Sequence, residues 1–124
     1  MRASSSRLQP YAIAALFVLA GAAHFAWPAT YERIVPDYLP VHRTLVLVSG
    51  VFEILGGIGA LFAGTRRAAG WGLIALLIAV FPANIHMATH ASAFAGLAPA
   101  WVLYARLPLQ FLMIAWVYRV LLRG

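Results

Sequence analysis

The sequence predicts an all-α fold, a bundle of four transmembrane helices with short interfacial helices on its outer side. Three observations carry that prediction. The 124 residues are 64% hydrophobic and only 10% charged, with mean hydropathy +0.88, whereas soluble domains are roughly 45–50% apolar and about 25% charged. Small folds leave a large fraction of their area outside, so the apolar excess must face lipid. The apolar residues fall into four long runs. The nine basic residues, all arginine, are scattered among the runs against three acids. These features exclude a secreted domain, a cytosolic enzyme and a disordered tail. They also read the net charge of +6 as an orientation signal and not as a nucleic-acid surface. The length allows one integral membrane domain, residues 1–124. With no cysteine, the chain can do no thiol or disulfide chemistry of its own.

A bilayer core about 30 Å thick takes about 20 apolar residues per helix, with about 17 as the short limit. The first run is 11–27, closed by Pro28. Arg2 and Arg7 before it, and Ala20-Gly21-Ala22 inside it, resemble a signal peptide, but the segment is read as the first transmembrane helix. The second run, 44–63, is uncharged except for Glu53 and is followed by Gly64-Thr65. The third covers 68–88. The fourth covers 107–122, with Pro108 in its first turn. Gly56, Ala60 and Gly64 recur every four residues, a spacing that allows close helix packing. With four spans, Arg2, Arg7, Arg66, Arg67, Arg119 and Arg123 share one side, without acids. Arg33, Arg43 and Arg106 lie on the other, diluted by Glu32 and Asp37. Six against three predicts both termini in the cytoplasm. The outer segments 28–43 and 89–106 carry interfacial residues such as Tyr31, Tyr38, Trp101 and Tyr104.

The polar intramembrane residues gather in the outer half. His24 closes span one; His42, Arg43 and Ser49 open span two; Asn84, His86 and His90 end span three; Arg106 and Gln110 open span four. Glu53 sits about ten residues into its span, near the midplane at ~1.5 Å per residue. A charge there costs roughly 2.5–3.5 kcal/mol, so this carboxyl faces the interior and is protonated or partnered. His42, Ser49 and Glu53 share one helix face. Pro82 removes a backbone donor and predicts a kink that opens room beside these groups. His86 and His90, at i and i+4, share a face; Asn84 points elsewhere and serves either the cavity or helix packing. The result is a polar cavity with Glu53 at its floor. Metal is not assigned: the spacing of His86 and His90 suits one, but Glu53 lies too deep to complete a first shell with them, which leaves His42 or His24 as the third ligand of any three-histidine site near the surface.

Several stretches resemble the DoxX and DoxX-like family of small membrane proteins. They are Gly21-Ala22-Ala23-His24-Phe25 with Pro28 and Tyr31, Ile34-Val35-Pro36 and Tyr38-Leu39-Pro40. Ser49-Gly50-Val51-Phe52-Glu53-Ile54-Leu55-Gly56-Gly57, Thr65-Arg66-Arg67, Phe81-Pro82-Ala83-Asn84-Ile85-His86-Met87 and Arg106-Leu107-Pro108-Leu109-Gln110 extend the likeness to nearly the whole chain. The resemblance implies a four-helix protein of the bacterial inner membrane. It also implies a connection to redox systems, since relatives include thiosulfate:quinone oxidoreductase subunits, partners of oxidative-stress enzymes and methylamine dehydrogenase maturation factors. The lack of cysteine sets this chain apart from thiol-dependent relatives.

The expectation is a redox-associated membrane subunit whose outer-leaflet cavity binds a quinone or another small lipophilic molecule. Glu53 and His86 are the catalytic candidates, Glu53 accepting or delivering a proton. His24, Ser49, Asn84, His90, Arg106 and Gln110 are the binding candidates. The alternative is a non-catalytic scaffold or assembly factor. Expected partners are the lipid bilayer, a redox protein and further copies of the chain, with no nucleic acid.

Overall fold

The computed structural model describes residues 2–123, with the side chains of its first helix described from Arg7 onward. Met1, Gly124 and the Arg2 side chain, which entered the expected domain and the arginine balance, lie outside the described residues. The described chain is all-helical: α1 (Arg2–Ala26), α2 (Pro28–Ile34), α3 (His42–Gly59), α4 (Arg66–Thr89) and α5 (Ala100–Val117). A 3-10 turn spans Ala91–Phe94, and a π-helical turn (Tyr118–Arg123) ends α5. Arg7–Ala26, Arg66–Thr89 and Ala100–Arg123 are long and apolar enough to cross a membrane. α3, with His42, Arg43 and Glu53 among its 18 residues, stands outside that group.

α1 packs along α3, α3 against α4, and α4 against α5, while the π turn reaches back to α4 and α1. Glycine sets the first of these contacts. A Cβ on Gly21 would stand 2.6 Å from the Gly50 carbonyl oxygen, and one on Gly50 would stand 2.9 Å from the His24 Cβ. The two backbones therefore touch, and any side chain at either position would force them apart. Part of the expected four-residue repeat packs as well: Gly56 lies under Leu73, and Ala60 is fully buried. Gly64 does not, since it lies in the turn with open space around it.

Two apolar clusters fill the bundle. One joins Ile13, Phe17, Leu73, Leu77, Val117 and Leu121 near the α3–α4 turn. The other joins Met87, Ala88, Phe94 and Leu103 at the opposite end, with Ile34 of α2 packed on it. The outward faces are just as apolar: Leu19, Phe52, Phe62, Phe111 and Leu112 are all well exposed. Water would not tolerate so continuous a greasy surface on a monomer, whereas lipid does.

Element boundaries differ from the expected ones for identifiable reasons. α1 runs through Pro10 to Arg2 and stops before Trp27. Pro10 forfeits one hydrogen bond without ending the helix, and the break comes at Trp27–Pro28, where α2 begins with proline in its first turn. α3 ends at Gly59, not residue 63. Its last carbonyls are taken by side chains from the following turn: Thr65 Oγ1 donates to Gly59 O at 2.7 Å and Arg66 Nε to Ala60 O at 2.9 Å. α5 starts at Ala100, capped by Pro99, so Pro108 lies inside the helix and not in its first turn. The 89–106 segment accordingly keeps only the 3-10 turn and a short loop. α4 passes through Pro82 without interruption.

Candidate functional site

The close approach of Gly21 to Gly50 places His24, one turn along α1, against the opposite wall of α3. Its Nδ1 lies 3.1 Å from the Val46 carbonyl oxygen. Its Nε2 lies 3.1 Å from Glu53 Oε2, with both side chains largely buried. A carbonyl only accepts, so Nδ1 carries a proton and the neutral ring presents a bare Nε2 to Glu53. Two lone pairs would then face each other unless the pair holds one further proton, on the carboxyl or on the ring. Either way the pair is neutral overall, the form a low-dielectric interior favours. The approach is close but off the line of a hydrogen bond, and Glu53 Oε2 has no other partner.

This pair lies on the wall of a cavity of about 380 Å³ lined by α1, α2 with the loop after it, α3, α4 and α5. Polar and apolar residues divide it by depth. On three helices a polar lining residue stands seven positions from an apolar one: His24 and Phe17, Asn84 and Leu77, Arg106 and Met113. Seven residues span ~10 Å of helix, so the cavity has a polar end beneath α2 and an apolar end in the bundle. Glu53 is the deepest α3 residue on the wall, and the floor itself is apolar. This corrects the expectation of a carboxylate floor.

Tyr31 of α2 closes the polar end. Its ring lies on the His24 imidazole, centroids 4.1 Å apart and tilted by 52°. Burial pushes its phenol above the ordinary range; Glu53 adds to that rise and the Arg106 guanidinium opposes it. Tyr31 is therefore a neutral hydroxyl at neutral pH, held between an acid and a base. By sequence Tyr31 belongs to the interfacial belt. The break at Trp27–Pro28 turns α2 so that its ring meets His24, which no spacing along a single helix shows.

Asn84 and Gln110 join α4 to α5 inside the same wall. Asn84 Nδ2 donates to Gln110 Oε1 at 2.9 Å, and Gln110 Nε2 donates to the Leu77 carbonyl. Both residues are buried. Arg106, one turn nearer the mouth, directs one guanidinium nitrogen at Met87 Sδ, 3.7 Å away. Ser49 completes the polar lining.

His86 and His90 do not reach the cavity. At about 100° per residue, two positions beyond Asn84 turn a side chain to the far side of α4. Their rings pair with each other there, centroids 4.3 Å apart, and His90 Nδ1 lies 3.0 Å from the His86 carbonyl. The structure therefore separates the expected catalytic pair Glu53 and His86 and removes His90 from the binding set. His24, Ser49, Glu53, Asn84, Arg106 and Gln110 are brought together. His42 lies outside it as well, its Nε2 2.8 Å from the Leu39 carbonyl. Among the described residues no group of three or more His, Cys, Asp or Glu gathers as metal ligands would.

Fold and site together define a small all-helical protein, three of whose helices can cross a membrane, built around a cavity with one polar end. The chain belongs to the family described as Domain of unknown function (DUF8561), whose profile matches residues 13–121. No curated protein and no solved structure matches it.

Proposed function

We propose that this chain is a four-span protein of the bacterial inner membrane, with both termini cytoplasmic, whose cavity binds a small lipophilic molecule with a polar head. On this reading α3 is the fourth span. Its 18 residues extend about 27 Å, close to the ~30 Å hydrocarbon core, and the capped turn after it supplies the rest. The carrying observation is the division of the cavity into a polar end and an apolar end about 10 Å apart. Such a seat suits an amphiphile lying head-outward along the bundle axis. A quinone is the ligand class we favour. Its reduction needs protons delivered with the electrons, and the His24–Glu53 pair holds one proton at the cavity wall. The electrons would come from a redox partner protein, in keeping with the resemblance to DoxX-like proteins, a kinship we also propose. Arg106, Tyr31 and Ser49 would bind the head group.

A second reading, a scaffold without a ligand, is favoured by one feature. The Asn84–Gln110–Leu77 bonds tie two helices together, as structural polar groups do. One experiment separates the two. Purification in mild detergent, followed by mass spectrometry of co-purifying small molecules, should recover a lipophilic compound with the wild type. Glu53→Gln keeps the shape but not the titratable proton; Glu53→Leu suits the bilayer midplane but abandons His24. Both variants should insert and extract like the wild type, and both should lose the compound or its redox turnover. Loss of the Leu protein itself, with a fully active Gln variant, would make Glu53 helix glue and favour the scaffold.

A further inference from the structure

The polar end of the cavity is covered by one short segment. α2 and the loop after it contribute Tyr31, Ile34, Val35, Pro36 and Leu39 to the wall, and Pro36 is fully buried. The segment is set apart from its neighbours at both ends. Before it, α1 stops at Trp27, whose backbone leaves the helical region (φ −131°, ψ 58°). After it, Val41 takes the left-handed conformation (φ 47°, ψ 55°) immediately before α3. A β-branched residue there is an outlier, and such outliers cluster at moving parts.

The attachments of the segment between those points are few. Its apolar residues rest on the bundle, Ile34 against the Met87 cluster. Among the described residues, two side-chain hydrogen-bonded contacts tie the segment to α3: His42 Nε2 lies 2.8 Å from the Leu39 carbonyl, beside the Val41 turn, and one ion pair reaches α2 itself. Arg43 Nη2 and Nε donate to Glu32 Oε2 at 2.9 and 3.3 Å. The Arg43 side chain is 60% exposed and that of Glu32 26%, so water and salt compete for the pair.

We propose that residues 28–41 are a lid on the cavity, hinged at Trp27 and Val41 and latched by the Glu32–Arg43 ion pair. The inference rests on the reading of the cavity as a binding site and names how access to it is regulated. With the latch closed, Pro36 and Tyr31 cover the polar end. With it open, the His24–Glu53 pair faces the aqueous side. An exposed ion pair biases such an equilibrium modestly, which suits a lid that must open often.

The natural absence of cysteine gives a direct test that needs no ligand. Ser49→Cys puts a thiol on the cavity wall, and Ser92→Cys puts one on the exposed 3-10 turn as a control. Labelling by a sulfonated, membrane-impermeant maleimide then measures how often the lid opens. Glu32→Gln or Arg43→Gln should speed labelling at position 49 by about twofold to fivefold, the leverage of an exposed ion pair, and leave position 92 unchanged. The exchanged pair Glu32→Arg with Arg43→Glu should restore the slow rate. Added salt should speed labelling only where the latch is intact. Equal rates in all variants, or failure of the exchange to restore the slow rate, would overturn the lid. A position 49 thiol that reacts only after denaturation, in every variant, would overturn it too. A lid that opens over a cavity yielding no compound would leave this inference standing and sink the ligand reading.

Discussion

At Val41 the backbone turns left-handed although a side chain with two branches at Cβ resists it. For residues other than glycine that region costs roughly 1–2 kcal/mol. Val41 is 62% exposed, so its side chain recovers little by burial. Glycine removes the clash and costs about 0.5–1 kcal/mol in chain entropy. Val41→Gly should therefore leave thermal stability in detergent unchanged or raise it by up to about 1 kcal/mol. A drop larger than that would show the valine side chain to be held by contacts that offset its strain. Nothing in the sequence announces this position, because left-handed backbone is read from glycine or asparagine and here neither is present. Glu53 shows the contrary case. A lone acid deep in an apolar run has to be partnered, so its importance was legible; which histidine partners it was not. Spacing along α3 pointed to His42 and Ser49. The partner is His24 of another helix, chosen by the Gly21–Gly50 contact.

Among the elements, α4 and α5 are joined by the Asn84–Gln110 bond, and both side chains are almost fully buried (6% and 5% exposed). Removing one partner strands the other, whereas removing both removes the demand. Asn84→Leu and Gln110→Leu should each lower stability by about 0.5–2 kcal/mol. The double variant should be nearly as stable as the wild type, giving a coupling measurable by a double-mutant cycle on thermal unfolding in detergent. Additive losses would mean that the two side chains act separately, through packing. Helices α1, α4 and α5 were legible in the sequence because each is an apolar run of bilayer length. Their ends were less so. Pro108 looks like a first turn because Trp101 and Tyr104 read as interfacial aromatics and Arg106 as a charge at the span's mouth, yet Pro99 supplies the helix start. The rotation of Asn84 away from His86 and His90 could be read from the helical period. Which of the two faces meets the cavity depends on where α5 packs, and one helix does not carry that information.

Across the whole molecule, charge is divided by end. α1 and α3 run antiparallel: Gly50 meets His24 and Gly21, while Gly57 meets Val18 and Ala14. Arg7 therefore belongs to the same end as the α3–α4 turn with Arg66 and Arg67. Arg67 Nη1 donates to the Leu122 carbonyl at 2.8 Å, which brings Arg119 and Arg123 to that end too. Glu32 and Asp37 lie at the other end, with Arg33, Arg43, Arg106 and the cavity mouth, and Glu53 lies between the two ends. Cytoplasmic loops retain arginine during insertion, so the arginine-rich end should be cytoplasmic and the lid periplasmic. Alkaline phosphatase fused after Gly64 should be inactive, and fused after Ser92 it should be active; fluorescent-protein fusions should give the reverse pattern. A third fusion, after Asp37, decides whether α3 crosses the bilayer: opposite readouts at Asp37 and Gly64 mean that it does, and equal readouts that it does not. Phosphatase activity at Gly64 with none at Asp37 or Ser92 would invert the molecule. The cavity and the His24–Glu53 pair would then open to the cytoplasm, and the redox partner would have to be sought there.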